Sequence, residues 1–368
     1  MMTEIVNPLV STIVLSYNQS RFALETLEAV KAQTYKHTQL IIVDDCSTDD
    51  SAAIIEHWLR ENNIHCTFIR HQENQGICKS LNDALAVATG KYISMVASDD
   101  VWLPDKIAHQ VEIMESQSDQ VGVLYSDAFQ IDEQGRPLPD MLIAANWKLP
   151  EMPQGQVLDT LLQGNFIPGM TTLIRRNCYN EVGLYDEDLP WEDWDMWLRI
   201  ARHYSFLYSP TPSAKYRLHE KSFSHFDPGR ILKDSISIGL KQFRLGHLRE
   251  DQKSTLIGTL LNWSAYLYNR GDAESALEGL QVIHSILDRV TPTEDDWQKI
   301  WRVSATYWAP AVISRRVPLS VKRAILRDAR AIDPHAMRRL IRPALTSVRL
   351  KLAKEFRLAR QRFENRTS

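Results

Sequence analysis

No stretch of the 368-residue chain comes near the roughly 18 consecutive apolar residues that a membrane-spanning helix needs. The first residues carry no basic segment ahead of an apolar core, so export by a standard signal is not expected either. Cysteine is scarce: Cys46, Cys66, Cys78 and Cys178 are scattered without paired metal or redox spacing, which fits small buried residues in a reducing compartment. The chain has no Gly-x-Gly-x-x-Gly and no Walker loop, so neither the usual dinucleotide site nor a P-loop kinase is favoured. Net charge is also small, at −3, but it hides an asymmetry. Residues 315–368 hold 16 Lys+Arg against 4 Asp+Glu, which leaves residues 1–314 at −15. An acidic body with a basic tail suggests that the tail meets something anionic.

What is present is organised around Gly90 to Pro104. The apolar run Tyr92 to Ala97 is long enough for one buried strand, and it ends in two adjacent acids, Asp99 and Asp100. Two carboxylates at a strand end cannot both be buried unpaired, so a cation, a donor or water must meet them. A hard divalent ion that needs few protein carboxylates is one such partner, and a helix N-cap is the plainer alternative.

The chain before this stretch alternates strand and helix. Pro8 to Tyr17 predicts a strand, followed by a helix with Leu24, Leu27 and Val30 toward the sheet. Leu40 to Val43 predicts a second strand, cut off by the polar run Asp44 to Ser51, which caps a helix over Ala52 to Leu59. Cys66 to Arg70 predicts a third strand, leading through Glu73 to Gly76 into a helix Ile77 to Ala88 that Gly90 terminates. Such alternation implies a parallel sheet covered on both faces, with a binding crevice beyond the strand ends. Tyr17, Asp44, Asp45, Asp99 and Asp100 all fall at those ends.

These segments resemble glycosyltransferase family 2. The likeness rests on Ser11-Thr12-Ile13-Val14-Leu15-Ser16-Tyr17-Asn18, Ile41 to Asp49, Asn74-Gln75-Gly76, and Gly90 to Ile93 with Asp99-Asp100; it covers about residues 8–225. The resemblance implies a GT-A fold, which is an α/β Rossmann-like architecture with a mostly parallel central sheet flanked by helices. It also implies a nucleotide-diphosphate sugar donor, a divalent metal (Mg²⁺ or Mn²⁺) and inversion at the anomeric carbon. By position, Tyr17 would stack the base, Asp45 contact it, Asp99 touch the ribose and Asp100 hold the metal. Lys79 stands where some relatives place a basic residue near phosphate, or is a solvated helix residue.

Further on, Val121 to Ile131 predicts a strand, Glu133 to Arg136 a turn, and Met141 to Gln156 an irregular acceptor-side loop or lid. Asn165 to Met170 precedes an extended stretch, Thr171 to Ile174, and resembles the family segment lying close to the donor sugar. In Trp191 to Arg199, helical spacing puts Trp194, Trp197 and Leu198 near one face, with Glu192 and Asp193 at the helix start. The stretch resembles the family's Glu-Asp motif, which makes Asp193 the expected general base, with Glu192 and Asp195 as further candidates. Trp191 and Trp194 are candidates for stacking on a sugar, or are core. Lys215 to His219, after a strand-like Phe206 to Tyr208 and two prolines, resembles a segment ending in Arg-x-His. Arg217 would meet the diphosphate and His219 join the metal, unless the histidine is structural.

Beyond Pro228 the pattern turns helical, with helices expected at Ile231 to Leu245, Thr255 to Asn269 and Ala273 to Leu287, broken at Arg270-Gly271-Asp272. No second copy of that helix pair is found, so a repeat array is not supported. Met337 to Phe363 reads as a basic amphipathic helix for an anionic membrane surface, the acidic body or a second subunit, rather than nucleic acid. The expected domains are 1–228, with a nucleotide half at 8–130 and an acceptor half at 131–228, then a helical domain 229–312 and a tail 313–368. Taken together, these features predict a cytoplasmic, metal-dependent inverting glycosyltransferase acting on a saccharide or lipid-linked acceptor in surface polysaccharide or glycolipid synthesis. The tail is a candidate for contact with the inner membrane face. Two competitors are a sugar nucleotidyltransferase, expected to carry a Gly-rich basic loop where this chain has Ser16-Tyr17-Asn18, and a non-catalytic scaffold acting through its helices.

Overall fold

The computed structural model describes residues 7–189, 191–220 and 228–269 of the chain. By contacts the chain divides into two units, Met1–Asp227 and Pro228–Ser368. The first unit is built on a sheet whose centre follows the expected alternation. Strands β1 (Val10–Ser16), β2 (Thr38–Asp44), β3 (Thr67–Arg70) and β4 (Tyr92–Ala97) pair in parallel in the order β3-β2-β1-β4. Helices α1 (Ala23–Lys31), α2 (Ser51–Glu61) and α3 (Ile77–Val87) connect them. Buried β-branched residues, among them Val10, Ile13, Val14, Ile41 and Ile42, make the central strands apolar on both sides, as a covered parallel sheet requires.

Register sets where these strands finish. Ser16 is level with Asp44, and Leu15 with Ala97. Main-chain bonds carry the match one step further, from Asp45 N to Ser16 O (2.9 Å) and from Ser98 N to Leu15 O (2.8 Å). Tyr17, Asp45 and the Asp99-Asp100 pair therefore leave the sheet at one edge.

Past β4 the sheet changes direction. A short β5 (Val101–Trp102) and α4 (Lys106–Glu115) lead to β6 (Val121–Ile131), flanked by antiparallel β7 (Pro137–Met141) and β8 (Leu173–Arg175). Helices α5 (Leu142–Asn146) and α6 (Leu158–Leu161) lie between β7 and β8, with a 3₁₀ turn, Gly169–Thr171, just before β8. After β8 come α7 (Arg176–Val182), α8 (Asp193–Ile200) and β9 (Ser205–Arg217), which runs parallel to β6 and antiparallel to β5. β8 closes antiparallel on β4, joining both halves into one sheet.

Three local expectations need correction. Leu24 is 52% exposed, because α1 starts at Ala23 and buries the stripe Ala23, Thr26, Leu27 and Val30, one step away around the helix. Met141 to Gln156 is only partly irregular: β7 ends at Met141, and α5 follows with Ile143 buried. Pro210 and Pro212 do not end the last strand. Ser126 pairs with Ser209 and Ala128 with Ala214, so Asp127 alone faces Pro210 to Ser213, and this bulge takes up both prolines.

Gly90 is needed for a different reason from the one expected. Helix α3 ends at Val87 with Ala88 already extended, two residues before the glycine. A Cβ at Gly90 would stand 2.5 Å from Ser11 N, 2.8 Å from Tyr92 O and 2.9 Å from Leu9 O, all backbone atoms that cannot swing away. Gly90→Ala is expected to cost about 3 kcal/mol by forcing β1 and β4 apart. Urea unfolding read by tryptophan fluorescence measures this, and an unchanged midpoint would disprove the close approach.

In the second unit, helices α9 (Pro228–Arg244) and α10 (Glu250–Asn269) match the first two helices expected there. Ile236, Leu240, Leu256 and Leu260 are buried, and Gly239 faces Leu256 and Leu260 where the two helices pack. The expected third helix (Ala273 to Leu287), the break at Arg270 to Asp272 and the basic helix Met337 to Phe363 lie outside the described residues. Among the described residues no helix is long and apolar enough to cross a membrane.

Candidate active site

Both carboxylates that follow β2 are engaged. Asp44 accepts from Ser47 N (2.9 Å) and Ser47 Oγ (2.6 Å), while Asn18, in the left-handed region at φ 54°, accepts from Thr48 N (2.8 Å) through its Oδ1. The polar run Asp44 to Ser51 thus clamps the turn after β1 and leaves the Tyr17 side chain exposed beside it. Asp45 is buried and accepts from Gln75 N through Oδ1 and from Gly76 N through Oδ2, both at 2.8 Å. Gly76 sits at φ 85°, a conformation that favours glycine and aims its N–H at Asp45. His71 completes this corner, with Nδ1 2.7 Å from Asp45 and Nε2 3.1 Å from Asp83. Lys79 pairs with Asp83 one turn further along α3. His71 was missed in the sequence, because nothing local to β3 marks a histidine that will meet carboxylates from two other elements.

The acids after β4 form the second corner. Asp99 Oδ2 accepts from Gln19 Nε2 (3.1 Å) and lies 3.0 Å from His219 Nε2, and both side chains of the latter pair are largely buried. Asp100 is 5% exposed; its Oδ1 accepts from Arg217 N at 2.9 Å, and no described residue donates to its Oδ2. Burial, and then the neighbouring Asp99 charge, hold the Asp100 carboxyl well above the usual range. Arg217 is buried too. Its guanidinium donates to Asp99 O (2.9 Å), Asp132 O (3.3 Å) and Glu25 (2.6 Å), and it packs 4.8 Å from the Phe22 ring. Arg217 therefore stands behind the two acids as a brace. His219, whose ring centroid lies 4.9 Å from that of Phe22, faces them.

The third corner is the start of α8. Asp193 Oδ1 accepts from Trp194 N (2.6 Å), and Oδ2 accepts from Asn165 Nδ2 (2.8 Å). Burial raises Asp193 to about 6 despite those bonds, and burial together with the Asp193 charge raises Glu192 to about 8. Asp195 is 1% exposed and bridged to Arg199 at 2.9 Å, so it serves the helix rather than the cleft. Trp194 and Trp197 are core, and Trp194 Nε1 donates to Leu161 O (2.8 Å).

Helix α3 ties the corners together. It begins at the glycine that Asp45 holds, and its Asn82 accepts from Tyr185 N (2.9 Å) and donates to Tyr185 O (3.0 Å), strapping down the segment that leads into α8. Cys78 on the same helix lies within electrostatic reach of this corner; burial first, and then the charges of Glu192, Asp186, Asp195 and Asp193, push its thiol up to about 12.

A buried peg fixes the segment after Asn165. Trp102 Nε1 donates to Met170 O (2.9 Å), Gln110 Nε2 to Thr171 O (2.7 Å), and Lys106 Nζ to Thr172 O (3.0 Å) and Ser94 Oγ (2.6 Å). Lys106 is 2% exposed and among the described residues bonds only to neutral groups, and burial depresses its pKa well below that of an ordinary lysine. The unfolded chain then binds more protons than the folded one, so stability should rise with pH until the unfolded lysine, at about 10.4, has also lost its proton. Lys106→Met should flatten that alkaline rise, read as urea midpoints at neutral and alkaline pH; an unchanged slope would assign it to another group.

Among the described residues no group of three or more His, Cys, Asp or Glu is placed to hold a metal. The second corner nevertheless suits a hard ion that takes few protein ligands. Asp100 has an oxygen no described residue donates to, and burial with the adjacent Asp99 charge raises its pKa more than the Arg217 charge lowers it, which leaves a role for a further cation.

Comparison with known proteins fits this geometry. The family model described as "Glycosyl transferase family 2" matches residues 11–183. An uncharacterized glycosyltransferase of Rickettsia prowazekii is 30% identical over 220 residues, covering 60% of this chain and 67% of that protein. The chain belongs to glycosyltransferase family 2. A second uncharacterized family relative, from Rickettsia felis, is 31% identical over 59% of this chain, but the chain spans only 35% of its length. The putative teichuronic acid biosynthesis glycosyltransferase TuaG of Bacillus subtilis is 29% identical, covering 59% of this chain and 82% of TuaG. Among solved structures, S. aureus TarS 1-349 in complex with UDP-GlcNAc aligns with a TM-score of 0.57 at 18% identity, over 89% of this chain and 91% of that one. Mannosyltransferase PcManGT from Pyrobaculum calidifontis, with GDP-Man and Mn²⁺, aligns at 0.52 and 16%, over 88% and 87%. At such identities the likeness establishes the fold, GT-A, as the family resemblance implied. The family-model match stops at residue 183, short of Glu192 and Asp193.

Proposed function

We propose that this chain transfers a sugar, with inversion, from a nucleotide-diphosphate sugar to an acceptor hydroxyl. The observation that carries the reading is the pairing of two acid corners through α3: Asp99-Asp100 with His219 at the end of β4, and Glu192-Asp193 at the start of α8. The first suits a nucleoside diphosphate, with Tyr17 exposed to stack a base and Asp45 holding the Gln75-Gly76 turn beside it. The second suits a base. Asp193 takes the proton of the acceptor hydroxyl while that oxygen attacks the anomeric carbon and the diphosphate leaves on the opposite face. Asn165 holds the carboxylate in place, and the Asp193 pKa of about 6 leaves it ionised yet basic near neutrality.

Asp100, with Asp99 and His219, would hold a divalent ion, which when bound offsets charge on the departing diphosphate. In this reading Arg217 acts by bracing the acids, and Lys79 by fixing Asp83 and, through it, His71. TuaG, whose name places it in teichuronic acid synthesis, favours a surface polysaccharide as the setting. A cytoplasmic site of action, with the basic tail at residues 337–363 meeting an anionic membrane face or another subunit, completes the proposal.

The test is nucleotide release from a panel of UDP-, GDP- and dTDP-sugars, with Mg²⁺ or Mn²⁺ and with chelator. Metal-dependent release from one donor is the expected result. No release, together with no metal-dependent nucleotide binding, would remove the crevice from consideration.

A further inference from the structure

The tryptophans that the sequence offered as a sugar platform are buried or engaged: Trp194 is buried with its N–H on Leu161 O, and Trp191 is half-buried and makes contacts of its own. Trp58 donates to Glu28 and Trp102 to Met170 O. Trp147 differs from Trp58, Trp102 and Trp194, whose indole N–H groups are all taken. It follows α5 directly, is half-buried, and has an indole N–H to which no described residue offers an acceptor. Its ring meets that of Phe166 edge to face, with centroids 6.2 Å apart and planes at 75°, so at most one indole face is covered there.

Phe166 is the link to the chemistry. It follows Asn165, whose amide holds the Asp193 carboxylate, and its own ring is buried against Tyr125 (5.8 Å, edge to face). The loop that carries Trp147 is pinned on both sides. Trp147 N donates to Ile143 O (2.8 Å), Tyr125 Oη to Pro153 O (2.5 Å), and Gly155 exchanges two main-chain bonds with Phe206 (2.7 and 2.9 Å). A half-open indole on a loop pinned at both ends, packed on the ring that follows Asn165, is poorly explained as core, because a core tryptophan buries both its faces.

We infer that Trp147 is the wall of the acceptor site, stacking on the apolar C–H face of a pyranose ring and donating its indole N–H to a ring hydroxyl. The acceptor group next to Asp193 is then a saccharide, whether free or the head of a larger glycan. This deepens the transferase reading and rests on it.

The experiment uses the full chain and the donor identified by nucleotide release, with methyl glycosides of glucose, galactose, mannose and N-acetylglucosamine as acceptor probes. Methyl aglycones keep the probe itself from supplying an aromatic ring. Linear polyols and a long-chain alcohol serve as non-sugar hydroxyls. At least one glycoside should accelerate release; Trp147→Ala should raise its KM by about tenfold with kcat at saturation little changed, and Trp147→Phe should restore most of that loss. A tryptophan that only supports the loop would lower kcat and the melting temperature together, with KM unmoved, and that result overturns the proposal. Acceleration by alcohols and by no glycoside would overturn it as well. Failure of the wild-type chain to release nucleotide from any donor is a separate outcome, which removes the transferase reading itself.

Discussion

Asp193→Asn should lower transfer by about a thousandfold, within the range a positioned general base contributes, while nucleotide binding at the other corner persists. Asparagine keeps an oxygen for Trp194 N and loses the bond from Asn165, whose own oxygen is held by Ile167 N, so the variant removes the proton acceptor at the cost of one neutral hydrogen bond. In the wild type the rate should climb as pH passes about 6, with a second rise toward 8 as Glu192 ionises and its charge makes Asp193 more basic; the two titrate as a pair. Stability should move the other way over the same interval. A carboxyl whose pKa is higher folded than unfolded binds its proton more tightly in the folded state. Each acid therefore costs nothing well below its unfolded pKa of about 4, and its cost is complete above the folded value. The contribution of these two acids should fall between pH 4 and 8, so Asp193→Asn should melt higher than wild type at pH 8 and much closer to it at pH 4. A variant that keeps its activity, or one destabilised at pH 8, would show that Asp193 is a structural acid and not the base.

The same carboxylates illustrate what a sequence can and cannot carry. A strand buried on both faces announces itself as a mostly apolar run, which is why Tyr92–Ala97 has the limits expected of it; Val121–Ile131 does too, although Ser126, Asp127 and Gln130 interrupt it. The acids at their ends were legible because each strand stops on a polar break. What those acids touch was not legible. Asp45 is spoken for by His71 and by a turn thirty residues on, and Arg217 reaches back to Glu25 across nearly the whole catalytic unit. No local pattern marks such pairs, since only the closed sheet brings them together. Leu24 and Gly90 misled for a related reason. An apolar residue early in a helix and a glycine just past a helix end each have a common local explanation. At Gly90 the decisive fact is instead the β1 backbone 2.5 Å from an absent Cβ.

Asp100 separates charge from geometry in the same manner as Asp193, but at the corner that follows β4. Asp100→Ala removes both the charge and the acceptor that fixes Arg217 N, whereas Asp100→Asn keeps an oxygen for that N–H and loses only the charge. If the carboxylate is there to hold a cation against a diphosphate, both variants should lose metal-dependent nucleotide release by about a thousandfold, because several kcal/mol of charge stabilisation disappear in each. If its purpose is to hold β9 in place, Asn should retain most activity and Ala should not. Stability discriminates further. Burial and the Asp99 charge raise the Asp100 pKa, so its ionised form burdens the cation-free fold, and Asp100→Asn should melt higher than wild type at neutral pH without metal. Adding Mn²⁺ with a nucleoside diphosphate should then raise the wild-type midpoint, by linkage to a ligand that binds only the folded chain, and leave the Asn variant where it was. A metal-induced shift that survives Asp100→Asn would move the cation away from β4, to groups that the strand-end acids do not include.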